Sequence, residues 1–412
     1  MDHAPLARFA RDALGKFRFG LPVLQAKLTR RPIPFQVQFT LTNRCNLKCE
    51  YCYADYPHRP HDDLSTEQVL SIIDALGRAG TRRFNLVGGE PLVRRDIDAI
   101  IAHVKGRGYE CAMTSNGYYV RKKLAAVRML DLLCVSLDGN REAHDKCRGP
   151  GSFDKAMEAI ELAVEHRIPL QAACVLTKYN LGCIEYVLEL GKRHGFAIGF
   201  STLISATAVA PGDQPHYLPT DDEYREALGR LLRYKEQGDP VLFSTRSLNY
   251  ALHWPLPYGQ DKIIGDEPSF DHIKCNAGRY FAIVDANGDL YPCPATVGVL
   301  KPLNILRDGL DAALHNVRHH LCKTCHIPCQ NDFNLLYSLN PGVILNILRN
   351  YRPRSRRNGR PEEASGSHVE GVLDPGAPDP RAPDLGRGLP GSQAPLPTPP
   401  IPVPTEEEAC HV

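Results

Sequence analysis

From Phe35 to about Leu203 two kinds of apolar pattern take turns along the chain, and no other feature restricts the fold as much. Strand-like runs fall at 35–41, 83–87, 109–114, 132–137, 169–176 and 197–203. Between most of them apolar residues recur at helical spacing. The first such segment opens on Ser65-Thr-Glu-Gln68, a capping box. It carries Val69, Leu70, Ile72, Ile73 and Leu76, and stops at Gly77 to Gly80. Others run near 95–105, 121–130, 152–166 and 182–194. Strands alternating with helices predict an α/β fold whose sheet is parallel with right-handed crossovers. Periodicity alone allows a partial barrel or a doubly wound sheet.

The chemistry is announced by Cys45-Asn-Leu-Lys-Cys49-Glu-Tyr-Cys52, placed directly after the first strand. Loops at that end of a strand carry function in β/α barrels. Three thiolates in one short loop can hold three irons of a cubane and leave the fourth without a protein ligand. An electron-transfer cubane uses four thiolates, and a structural zinc site also closes its shell with four ligands. A zinc knuckle or a purely structural loop is the alternative. Three further short motifs follow later strands. Gly88-Gly89-Glu90-Pro91 ends the second, where two glycines permit close backbone approach to a ligand. Thr114-Ser115-Asn116-Gly117 ends the third, and Ser136-Leu137-Asp138-Gly139 the fourth. Each of these also suits an ordinary turn.

Together these residues resemble the radical S-adenosylmethionine (radical SAM) superfamily. The resemblance covers about residues 35–333 and implies a partial (β/α)6 TIM-type barrel. It implies that the catalytic cysteines Cys45, Cys49 and Cys52 hold a [4Fe–4S] cluster whose open iron chelates the amino and carboxylate groups of SAM. Reductive cleavage then gives a 5′-deoxyadenosyl radical that takes a hydrogen atom from a substrate. Tyr51 is the aromatic the family usually has beside the last cysteine. Gly88, Gly89 and Glu90 correspond to a motif that holds the SAM amine. Ser115, Asn116, Ser136 and Asp138 correspond to contacts with the ribose and the methionine moiety. His144-Asp145-Lys-Cys147-Arg148-Gly149 resembles an HDxxRG stretch, with Arg148 a candidate for pairing bidentately with the SAM carboxylate. Val175, Thr177 and Leu203 are weaker candidates for an adenine pocket, and Cys147 is read as a loop thiol.

A second cysteine group comprises Cys275, Cys293, Cys322, Cys325 and Cys329. Between the first two, Tyr280 to Val284, Asp285-Ala-Asn-Gly288 and Asp289 to Tyr291 read as a β-hairpin that brings Cys275 and Cys293 together. The spacing resembles the opening half of a SPASM/twitch auxiliary-cluster domain. A full domain of that kind uses seven cysteines for two clusters, so five imply one auxiliary [4Fe–4S] cluster. Cys275, Cys293, Cys322 and Cys325 are the preferred ligands, and a zinc-ribbon-like site is the rival.

The expected organisation is a basic N-terminal segment 1–34, a core barrel 35–210, a connecting region 211–270 in which Asp221 to Glu236 reads as a helix and the rest as loop, and the small cysteine-rich domain 271–333. An apolar helix at 334–351 and a disordered Pro-rich tail at 352–412 complete it. Net charge is +2, which offers no argument for nucleic acid. No apolar run approaches the ~20 residues that span a bilayer, and residues 1–35 lack the pattern of a signal peptide. The expected location is therefore cytoplasmic, where the 14 cysteines favour metal over disulfides. Peripheral membrane contact through segment 6–31 and the helix carrying Val343, Ile344, Ile347 and Leu348 is a weaker possibility. Implied partners are SAM, a substrate that the sequence does not name, and an external electron donor such as flavodoxin or ferredoxin. The first 34 residues are too short for a leader-peptide-binding domain. A non-catalytic iron–sulfur or zinc protein is the alternative of a different class.

Overall fold

The structure, a computed structural model, describes residues 33–204 and 216–350. The expectations for the basic segment up to residue 32 and for the tail lie outside the described residues.

The first half alternates as its pattern dictates. In chain order it runs β1 (Gln36–Thr40), α1 (Thr66–Ala79), β2 (Arg83–Val87), α2 (Ile97–Gly106), β3 (Glu110–Ser115), α3 (Leu124–Val127), β4 (Leu132–Ser136), α4 (Arg141–Arg148), α5 (Ser152–Glu165), β5 (Leu170–Val175), α6 (Ile184–His194) and β6 (Ala197–Ser201). β1 to β6 pair in sequence order and all in parallel. This is the partial (β/α)6 barrel. The capping box forms as predicted: Ser65 Oγ accepts the Gln68 N–H, and Gln68 Oε1 accepts the Ser65 N–H. On β1 and β2, Val37, Phe39, Phe84 and Leu86 are buried against the α1 residues Val69, Ile72, Ile73 and Leu76. The alternate positions Gln36, Gln38, Thr40 and Asn85 are polar and fall on the other face, the inside of the curved sheet. Cys111, Cys134 and Cys174 are buried thiols, whereas Cys183 is half-buried.

The second half departs further from its pattern. α7 (Asp221–Glu236) matches the expected helix and has its own capping box on Thr220 and Glu223. α8 (Thr245–Leu252) falls where a loop was expected. Ser244 caps it locally, its Oγ accepting the Ser247 N–H at 3.2 Å, and the buried Asp332 carboxylate, far along the chain, braces that cap by accepting the Ser244 N–H and Oγ. Then come β7 (Lys262–Ile264), β8 (Phe281–Val284), β9 (Asp289–Tyr291), β10 (Leu303–Asn304), α9 (Leu310–Arg318), β11 (Cys322–Cys325), α10 (Pro328–Tyr337) and α11 (Pro341–Asn350).

β8 and β9 form the expected hairpin. The Asp285 carbonyl accepts the Gly288 N–H at 2.9 Å, and Gly288 sits at φ +90. β8 also pairs in parallel with the free edge of β1, Val37 opposite Ala282 and Phe39 opposite Val284. The sheet therefore has nine strands in the order β10-β9-β8-β1-β2-β3-β4-β5-β6. β7 and β11 form a separate antiparallel pair with Lys262 opposite Cys325. β7, before residue 271, thus pairs with β11 of the cysteine-rich segment, and α10 runs across residue 333 to Tyr337.

Val343, Ile344 and Ile347 of α11 pack on Ile273, Leu335 and Leu336, so this face covers its own domain rather than standing open to a membrane. Among the described residues no helix is long and apolar enough to cross a membrane.

Candidate functional site

The loop after β1 is fastened at both ends by one carboxylate. Asp63 accepts the Thr42 hydroxyl at 2.5 Å and the Asn43 N–H at 2.8 Å. Within it Cys45, Cys49 and Cys52 are each partly exposed. The Leu47 N–H points at Cys45 Sγ at 3.4 Å, and Asn116 Nδ2 lies 4.0 Å from the same sulfur. Asn46 Nδ2 is buried in this loop with no protein partner. A sulfur-rich group seated here would find donors already aimed at it. Burial, opposed by the Leu47 N–H, holds the Cys45 thiol up at about 12. Such a thiol ionises at neutral pH only with a cation or metal beside it.

The Gly88-Gly89 pair makes room for the cysteine loop. A Cβ on Gly89 would stand 2.3 Å from the Arg44 carbonyl oxygen and 2.9 Å from Cys45 Cβ. Gly88, at φ +153, would place one 2.6 Å from the Thr42 carbonyl oxygen. What the glycines approach is the cysteine loop itself, tied on by Gly89 N–H to Thr42 C=O and Glu90 N–H to Arg44 C=O.

Glu90 is fully buried and already bound. Its carboxylate takes the Ser115 hydroxyl at 2.9 Å, the Asn116 N–H at 2.8 Å and the Leu92 N–H at 3.1 Å. Burial pushes its carboxyl up to about 7, with those donors pulling the other way. Of roughly four lone-pair positions on a carboxylate, one stays open for an ammonium donor.

Asp138, at the end of β4, is the second buried hub. Its carboxylate accepts the Tyr51 hydroxyl, Arg148 Nε at 2.5 Å and the Val175 N–H at 3.0 Å. Arg148 Nη2 stands 3.5 Å from the other oxygen, and the guanidinium lies 5.6 Å from the Tyr51 ring centre. Burial alone would raise the Asp138 carboxyl, but Arg148, His144 and Tyr51 hold it below the ordinary range. Burial drives His144 down to about 4, and its Nδ1 accepts the Asp138 N–H at 3.1 Å.

One expectation is corrected here. The stretch 144–149 is mostly the helix α4, so Cys147 is a buried helical residue, 3.5 Å from the Thr177 hydroxyl. Arg148 spends its Nε/Nη2 edge on Asp138, which leaves only the Nη1/Nη2 end for a second carboxylate. The short sequence separation of Asp138 and Arg148 on a strand end and the following helix was the available signal for this pair.

Cys49, Tyr51, Cys147, Val175 and Leu203 meet in one apolar cluster beside the loop. The structure therefore gathers the cysteine loop, Gly88 to Glu90, Ser115, Asn116, Asp138 and Arg148 at one end of four consecutive strands. Ser136 is buried at the end of β4.

The second cysteine group divides. Cys275, Cys293, Cys322 and Cys325 line one pocket together with Lys262, Gln330 and Asn334. Cys329 is absent from that wall; its thiol meets Ser201 at the end of β6 and Gln330 Nε2 at 3.7 Å. Burial holds Cys293 at about 12. Cys322 is raised first by its neighbour Cys275 and then by burial. Among the described residues no three His, Cys, Asp or Glu side chains converge on a point that one metal ion could occupy.

A β/α barrel with a three-cysteine loop at its strand ends defines a class, and comparison places the chain within it. The model of the radical SAM superfamily matches residues 39–191. Mycofactocin maturase MftC of Mycolicibacterium smegmatis is 30% identical over 296 residues, covering 70% of this chain and 70% of that protein. Fe-coproporphyrin III synthase of Methanosarcina barkeri is 32% identical over 271 residues, covering 62% of this chain and 66% of that protein. Among solved structures, anSMEcpe with bound AdoMet is similar in fold, with a TM-score of 0.54 at 18% identity, covering 77% of this chain and 99% of that one. SuiB of Streptococcus suis bound to S-adenosylmethionine has the same TM-score of 0.54 at 18% identity, covering 71% of this chain and 70% of that one. The chain belongs to the radical SAM superfamily. It is an enzyme of the branch with a C-terminal SPASM/twitch-like domain.

Proposed function

We propose that Cys45, Cys49 and Cys52 hold a [4Fe–4S] cluster with one open iron, that SAM binds between it and the strand-end rim, and that Cys275, Cys293, Cys322 and Cys325 hold one auxiliary [4Fe–4S] cluster. When bound, the first cluster supplies the electron that cleaves SAM to a 5′-deoxyadenosyl radical, which abstracts hydrogen from a substrate. The observation that carries this is the meeting of the cysteine loop with three polar motifs from successive parallel strands. Asn116 Nδ2 and the Leu47 N–H orient toward the Cys45 sulfur. Glu90 holds Ser115 and Asn116 in place and keeps an acceptor position for the SAM amine. Arg148 acts through Asp138 and Tyr51 to fix the loop. Four cysteines lining one pocket match the four thiolates that a [4Fe–4S] cluster takes. Cys329 is left out of the auxiliary set.

The substrate reading is a peptide. The chain is 30% identical to a maturase, and a solved SuiB structure of similar fold is bound to precursor peptide SuiA. A porphyrin substrate is the second reading, favoured by the 32% identity to Fe-coproporphyrin III synthase. Electrons come from an external donor such as flavodoxin or ferredoxin.

Anaerobic reconstitution tests the proposal. Wild type should bind about eight irons and the Cys45/Cys49/Cys52→Ala variant about four. Only wild type should form 5′-deoxyadenosine from SAM under dithionite. Zinc in place of iron, with no SAM cleavage, would overturn it. Mass spectrometry of candidate precursor peptides and of coproporphyrin after turnover separates the two substrate readings.

A further inference from the structure

Four thiolates around the auxiliary pocket would carry four negative charges into a buried wall. An oxidised cubane core contributes two positive charges, so the filled site holds a net charge of about −2, and one-electron reduction makes it about −3. Burying that charge is costly unless something opposes it. Any cation in the wall then weighs directly on how readily the cluster takes an electron.

Among the described residues lining the pocket, Lys262 is the one cation. Pairing of β7 with β11 puts it opposite Cys325, and its side chain is 9% exposed. Its Nζ lies 2.8 Å from the Asp261 carboxylate, which is itself buried and does not line the pocket. The ion pair is thus a dipole with its positive end in the wall. The electrostatics agree. Lys262 favours the thiolate forms of Cys293 and Cys322, while Asp261 opposes ionisation of Cys322 and Cys325.

We propose that Lys262 is a positioning residue that raises the reduction potential of the auxiliary cluster, and that Asp261 tethers it at the pocket wall and tempers its charge. This rests on the assignment of a cluster to Cys275, Cys293, Cys322 and Cys325.

The test uses the full chain with Cys45, Cys49 and Cys52 replaced by Ala, so that only the auxiliary site contributes a signal. Redox titration with dithionite is followed by electron paramagnetic resonance of the reduced cluster. Lys262→Met should make reduction about tenfold less favourable, a fall of about 59 mV for one electron. Lys262→Arg should stay near the parent value. Asp261→Asn should shift the potential upward. No iron and no signal in the parent would overturn the cluster assignment itself. A cluster whose potential is unmoved by Lys262→Met would overturn the role of Lys262. So would equal-direction shifts in Lys262→Met and Asp261→Asn, since a merely structural disturbance has no reason to follow the sign of the removed charge. If Lys262→Met yields no folded protein, the upward shift in Asp261→Asn decides alone.

Discussion

Replacing Arg148 by Met isolates the network behind the cysteine loop. The Arg148 and Asp138 side chains are 11% and 0% exposed, so solvent screens their ion pair little. In the variant Asp138 keeps the Tyr51 hydroxyl and the Val175 N–H but loses its counter-charge. Removing one partner of a buried pair costs about 3–5 kcal/mol. The pH dependence follows from the same charges. In wild type the folded Asp138 carboxyl ionises below its unfolded value of about 3.9. Its contribution is complete above that pH and is lost as pH falls through the folded value. Without Arg148 burial loses its main opponent, Tyr51 and the Val175 N–H remaining, and the folded value is expected to rise above the unfolded one. The variant then loses stability as pH rises, and protonation of Asp138 restores part of it at low pH. Urea unfolding can be followed on the fluorescence of Trp254, the chain's one tryptophan and a buried one. The expected deficit is about 3–5 kcal/mol at pH 8, smaller at pH 5, and largely relieved in Asp138→Asn/Arg148→Met. A variant as stable as wild type, or a deficit that is the same at both pH values, would refute the reasoning.

Gly89→Ala sets a methyl group against the Arg44 carbonyl and should displace the cysteine loop. Reconstituted protein should lose about four irons and its SAM cleavage while keeping the auxiliary cluster. Glu90 holds its proton more tightly folded than unfolded, so between pH 4.5 and about 7 wild-type stability should decline as pH rises. Glu90→Gln should remove that slope in a series of urea titrations. Cys329→Ala should keep the full iron content, because its thiol faces Ser201, whereas Cys325→Ser should lose auxiliary iron. Iron analysis of the two variants side by side checks the division of the second cysteine group.

The barrel was legible because its strands and helices bury local, periodic patterns. The segment Val69 to Leu76 states its helix and its buried face without help from elsewhere. Helix α8 was harder to read: Ser244 caps it locally through the Ser247 N–H, but the Asp332 carboxylate that holds Ser244 and Ser247 in place lies far along the chain. The cysteine loop could be read from spacing alone. The use of Gly88 and Gly89 could not, since the atoms they make room for lie on a loop more than forty residues earlier. Arg148 shows the same limit. Its chemistry suits any carboxylate; the ten-residue separation from Asp138 was a hint of that partner, and the fold makes the pairing explicit. The departure of Cys329 from its neighbours follows from α10, which begins at Pro328 and swings that thiol toward β6.

The parallel pairing of β8 with β1 has a consequence for how the protein is made. β1 ends in the loop of Cys45, Cys49 and Cys52, yet its second neighbour begins only at Phe281. Asp285 and Ala286, just past β8, also hold Arg59 and Leu64, which follow the cysteine loop. A ribosome adding about 5–20 residues per second takes roughly 12–50 s to cover the distance between the two strands. Over that interval the first cysteine loop exists without its support. A nascent chain halted before Phe281 has the ties of the loop to Asp63, Gly89 and Glu90 but lacks those made by β8, Asp285 and Ala286, and should load iron less readily than the full chain.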